Sequence, residues 1–183
     1  MAELHLDPFH PKGPVNFQDI EIASFRLLSI FLSDKEYQKL RAKNELAIPD
    51  EIYARITFDR IIHSLIEIAI FYRIQDNQCP KTHEFKKARK TRIVGILYEP
   101  IGSEEQPLDM REACNKIIHA RDIRFDVKKL PKLGRAYLNP KIYIYGERHN
   151  TEWKAIIDVI RFCEYAIWPL GLDAAAYVKV RKG

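Results

Sequence analysis

Arg111, Asn115 and His119 recur at four-residue steps in the stretch Arg111-Glu-Ala-Cys-Asn-Lys-Ile-Ile-His-Ala-Arg121. On an α-helix each such step turns about 40° around the axis, so a cation, an amide and an imidazole stack along one side. Ala113, Ile117 and Ala120 form an adjacent apolar stripe that would hold the helix against a core. A polar ridge of this kind on a packed scaffold suits acid–base work. The competing reading of the same residues is an Asn and a His hydrogen-bonded within a helical bundle.

Other reactive side chains are less well placed. Cys114 lies near Lys116 and His119 in sequence, but five helical residues turn about 140°, so the thiol and the imidazole would not face each other. Three cysteines (Cys79, Cys114, Cys163) are far apart and odd in number, without a CxxC or Cys/His pair, which argues against a disulfide framework or structural zinc. His5, His10, His63, His83 and His149 show no ligand spacing, so neither a metal nor a cofactor is expected. His149, in Gly-Glu-Arg-His-Asn, reads as a surface loop leading into a helix. Lys86, Lys87, Arg89, Lys90 and Arg92 would track a phosphate backbone or form a solvated helix face. Tyr143 and Tyr145 would stack nucleobases or pack a hairpin.

These residues need a scaffold, and 183 residues suffice for one domain with a proper core. Apolar residues make up 46% and charged residues 30%, an ordinary globular balance, and the net charge of +5 is compatible with a nucleic-acid partner without demanding one. Residues 1–16, with Pro8, Pro11, Gly13 and Pro14, read as an extended arm before a single domain over 17–183. The arm has no apolar h-region, and the longest apolar run, Leu65 to Phe71, is short and broken by Glu67. The expectation is a soluble, cytoplasmic chain without a membrane partner.

Phe17, Ile20, Ser24, Leu27 and Phe31 give a helical period, and Ser33 with Glu36 forms a capping box that predicts a new helix or a kink from Asp34 to about Lys43. Pro49-Asp-Glu opens a helix to about Ile74, apolar on most sides and therefore central, with Asp59, Arg60, His63 and Glu67 on its polar side. His63 and Glu67 would either be solvated or border a site. Thr82 would cap a helix to about Leu97, and a loop over 100–107 would deliver the motif helix, about 107–121. Ile123, Phe125 and Val127 alternate with charges, and Lys141-Ile-Tyr-Ile-Tyr145 is β-prone, so the two segments are expected to pair as a hairpin. Asn150-Thr-Glu would start a last helix carrying Trp153, Ile156, Ile157, Ile160, Cys163 and Ile167 on one face, before a basic tail with Lys179, Arg181 and Lys182.

The order of long helices, a motif helix with Asn115-Lys-Ile-Ile-His-Ala120, a hairpin and a Trp-led helix resembles the HEPN superfamily, specifically the HEPN-like proteins of bacterial defence and toxin systems. Tyr145-Gly146 and Trp153 add to the resemblance. It implies a mainly α fold, a helical bundle with a small β-hairpin between the motif helix and the C-terminal helix. It also implies a homodimer with facing motif helices, and an antitoxin or defence-system partner protein. The implied activity is metal-independent endoribonuclease cleavage, in which His119 helps move the ribose 2′-hydroxyl proton and Asn115 is the neighbouring polar residue. The family arginine would fall at Cys114, where a thiol supplies no cation. Arg111 or Arg121 would take its place; otherwise the chain would be an inactive module that binds RNA or a protein.

Overall fold

The structure is a computed structural model that describes residues 17–78, 87 and 89–167. Helix α1 (Phe17–Ala42) runs without interruption. Ile20, Ala23, Leu27 and Phe31 are buried along it, and the same stripe continues through Asp34, Gln38 and Arg41. The Ser33–Glu36 capping box therefore starts no new helix. Asp34 instead stays on the inward face, where its carboxylate accepts from the Tyr53 hydroxyl, from Gln38 Nε2 at 3.2 Å and from the Leu138 backbone N–H at 2.6 Å.

Helix α2 (Asp50–Gln78) begins where its acids meet the positive end of the helix dipole. Ile61, Leu65, Ile68, Ala69 and Tyr72 are buried, but Ile66 and Ile70 are exposed, so the helix is covered on one side rather than on most sides.

The remaining elements are β1 (Ile93–Tyr98), β2 (Gln106–Asp109), α3 (Met110–Ile118), β3 (Asp122–Lys129), β4 (Ala136–Arg148), β5 (Thr151–Asp158) and α4 (Val159–Ile167). All five strands form one antiparallel sheet in the order β2-β1-β5-β4-β3. The expected helical bundle is thus corrected to a mixed α/β fold. The expected hairpin exists, with Ile123 opposite Ile144 and Phe125 opposite Ile142, but it is one side of a larger sheet.

Two segments read as helical are strands. Ile93-Val-Gly-Ile-Leu-Tyr98 is dominated by β-branched and aromatic residues and pairs with β2 and β5 instead of extending a basic helix. Over 151–158 the apolar residues satisfy two periods at once. Trp153, Ile156, Ile157 and Ile160 fit a helix, whereas Trp153, Ala155 and Ile157 alternate as in a strand, and these last three are the buried ones. His149 and Asn150, both at positive φ (49° and 61°), make the two-residue turn that folds β5 back on β4. The helix expected from Asn150 is reduced to α4. The motif helix likewise begins at Met110, because Gln106-Pro-Leu-Asp is an edge strand, where proline is tolerated.

One core joins the inward residues of the sheet (Leu97, Ile142, Ile144, Trp153, Ala155, Ile157) to α1, α2, α3 and α4. Among the described residues no helix is long and apolar enough to cross a membrane. The arm over 1–16, Lys86 and the basic tail lie outside the described residues.

Candidate functional site

Helix α3 starts on Asp109, whose side chain accepts from the Glu112 backbone N–H at 2.8 Å. It ends at His119, the C-cap residue, whose own N–H still reaches the Asn115 carbonyl at 3.1 Å. The imidazole is therefore carried one position past the last helical residue and is exposed. Beside it opens a cavity of about 510 Å³ lined by Arg73 of α2, by Glu112, Asn115, Lys116 and His119, and by Glu147, Arg148 and Trp153 of the β4–β5 hairpin.

The cavity's two carboxylates are engaged. Glu112 accepts from Asn115 Nδ2 at 2.8 Å and lies 3.5 Å from Lys116 Nζ, while Glu147 is ion-paired with Arg121. Lys116 is buried, bonded to Glu99 at 2.8 Å, and lies over the Trp153 ring. Arg73 and Arg148 make no ion pair among the described residues. Two guanidiniums with no carboxylate partner among the described residues thus share a cavity with an imidazole and an oriented amide, a set suited to holding a phosphodiester.

The residues singled out by spacing divide sharply. Asn115 and His119 both line the cavity. Arg111 does not; it is ion-paired with the buried Asp76 and donates to Asn77 Oδ1 at 3.1 Å, so it ties α3 to the end of α2. Its pKa is lowered by burial and then by the neighbouring Arg73 cation. Arg121 is largely exposed and meets the cavity only through Glu147. Neither arginine proposed as a stand-in lines the cavity; Arg73 and Arg148 do. Cys114 is fully buried, and burial pushes its thiol well above the ordinary range, which removes it as a nucleophile.

The basic run does not form one track. Lys87 and Lys90 are exposed, but Arg89 lies 3.7 Å from Asp76, and Arg92 donates to the Tyr165 carbonyl at 3.1 Å with its guanidinium over that ring. The two arginines are fastened to the fold. Glu67 is paired with Arg26 at 3.6 Å, and His63 is exposed away from the cavity. Among the described residues no three His, Cys, Asp or Glu side chains converge as a metal ion would need.

Glu147 and Arg148 precede a His-Asn turn that lacks the glycine of the usual two-residue hairpin signal, so no sequence pattern singles them out. Arg73 carries no signal either. Comparison with family models, curated proteins and solved structures gave no match.

Proposed function

We propose that this chain is an endoribonuclease that cleaves RNA with its own side chains, in the cavity beside His119. The observation that carries the reading is the presence of Arg73 and Arg148, in no ion pair among the described residues, beside Asn115 and His119. A phosphodiester seated there would place its non-bridging oxygens against planar cationic forks. His119 takes the proton of the ribose 2′-hydroxyl as that oxygen bonds to phosphorus. The bond from phosphorus to the 5′-oxygen breaks, and a proton ends on that oxygen. The guanidiniums offset the negative charge that gathers on the non-bridging oxygens, and Asn115, held by Glu112, orients the phosphate.

The reading keeps the chemistry implied by the resemblance to HEPN proteins, without their helical bundle. The setting in bacterial defence or toxin action, the homodimer and a protein partner are carried by that resemblance alone. The deciding experiment is incubation of mixed cellular RNA with the purified chain in EDTA, followed by analysis of the ends. Products with 2′,3′-cyclic phosphate and 5′-hydroxyl ends are expected. Products with 3′-hydroxyl and 5′-phosphate ends would overturn the mechanism.

A second reading, RNA binding without cleavage, is favoured by one observation. Cys114 is buried, and Arg111 and Arg121 are both tied in ion pairs, so no arginine on the motif helix itself faces His119. Under it, RNA would be retained by the chain but recovered intact.

A further inference from the structure

The helices cover one face of the sheet. On the other, Tyr98 stands opposite Lys154, Lys154 opposite Tyr145, and one row further Ile156 is opposite Tyr143, which faces Arg124. None of these side chains is buried. Lys154 Nζ lies 6.0, 5.2 and 5.8 Å from the ring centroids of Tyr98, Tyr143 and Tyr145, and the Arg124 guanidinium lies 4.7 Å from that of Tyr145. Three tyrosines on the two strands that flank β5 therefore surround one ammonium, with a guanidinium at the edge.

The nearby acids are occupied. Asp122 accepts from Arg124 Nε at 2.7 Å, Asp126 from Asn139, and Glu105 from the Tyr98 hydroxyl at 2.6 Å. The face also leads to the His119 cavity. Tyr143, Tyr145 and Glu147 follow one another along β4 at two-residue steps of about 7 Å, and Glu147 lines the cavity. Such a step matches the spacing of a splayed single strand better than that of a stacked duplex.

We propose that this face is a stacking platform for single-stranded nucleic acid, which it feeds toward the His119 cavity. It rests on the reading of that cavity as an RNA site, and it adds where the strand lies. Bases settle on Tyr98, Tyr143 and Tyr145, and a base lying over a ring turns the Lys154 ammonium outward to the phosphate. Aromatic faces with interleaved cations hold single strands with little sequence preference.

The test is fluorescence anisotropy of a labelled twelve-residue deoxythymidine strand with the full chain, at two salt concentrations. Tyr143→Leu and Tyr145→Leu, which keep bulk and strand preference, are each expected to weaken binding at least fivefold. Tyr143→Phe and Tyr145→Phe should bind within about twofold of wild type, and Lys154→Gln should lower the salt slope by about one. The probe lacks a 2′-hydroxyl, so it reads binding apart from cleavage. A chain that cuts RNA but does not bind this strand, or leucine variants that bind like wild type, would overturn the platform and leave the His119 reading standing. Leucine variants that instead lose self-association in sedimentation would make the face a protein contact and also overturn it. Should a leucine variant unfold, the Lys154→Gln slope, read on a half-buried side chain outside the core, decides: no change would overturn the proposal.

Discussion

Lys116 Nζ lies 4.4 Å from the centroid of the Trp153 ring while donating to Glu99 Oε2 at 2.8 Å. This buried ammonium joins α3 to β5 and to the residue after β1, and it lines the His119 cavity. A charge withdrawn from water is tolerated only when paired and hydrogen-bonded, so the lysine serves the cavity's shape more than its reactivity.

Removing its principal partner should therefore cost more than removing both. Glu99→Ala is expected to lower unfolding free energy by about 2 kcal/mol, less than for a fully buried pair because Glu99 is part-exposed and Glu112 remains nearby. Lys116→Met in the same chain should recover most of that loss. Urea denaturation of the two single variants and the double variant measures the coupling, and simple additivity would show that the pair is not coupled.

Gly146 stands opposite Trp153, and a Cβ added there would lie 2.1 Å from Cζ2 of the indole. Gly146→Ala should cost about 2–3 kcal/mol through overpacking. Gly102, at φ +90° with nothing within 4 Å of an added Cβ, should cost only about 1 kcal/mol from its backbone. Equal losses for the two variants would contradict the indole contact.

Asp34 takes three donors from two helices and a strand, so Asp34→Ala strands the Leu138 N–H and the Tyr53 hydroxyl together. A loss of about 2–4 kcal/mol is expected in chemical denaturation. A loss under 1 kcal/mol would show that the carboxylate does not hold α1 to β4.

Alkaline pH should weaken the fold. Burial pushes the Cys163 thiol up to about 12 and raises Cys114, Tyr53 and Tyr72 further, with the hydrogen bond to Asp34 adding to the effect on Tyr53. In the unfolded chain thiols ionise near about 8.5 and phenols near about 10, so above those values the unfolded state binds fewer protons than the native one. The stabilisation is complete below about pH 8.5 and is lost as pH rises toward the native values. Urea midpoints at pH 7.5, 9 and 10.5 should fall in that order; a flat series would contradict the buried neutral groups. In a Cys79→Ser variant, thiol reagent at pH 8 should react only after denaturant is added.

The hairpin of β3 and β4 was legible because Ile123 and Phe125 alternate with charges, and alternation has one structural meaning over that length. The sequence over 151–158 was not, because Trp153, Ile156 and Ile157 satisfy a helix as well as a strand. What decides for the strand is the turn at His149 and Asn150, which lacks the glycine that usually marks it. The pairing of Asn115 with His119 was legible from their spacing, whereas the neighbours of Arg111 were not. Spacing places a side chain on a ridge but says nothing of a buried acid such as Asp76 on another helix that can claim it. Arg73 and Arg148 reach the cavity from elements that only tertiary structure brings together. Gly146 and Trp153 meet across two strands, and Trp153 does not lie at the head of a helix.

The most direct measurement is the single-turnover rate of cleavage of a defined ribo-oligonucleotide, in EDTA, by wild type and by His119→Ala with an unchanged melting temperature. A loss of about 10²–10⁴-fold is expected if the imidazole moves the 2′-hydroxyl proton. Cleavage by His119→Ala at the wild-type rate would contradict the assignment of chemistry to this cavity.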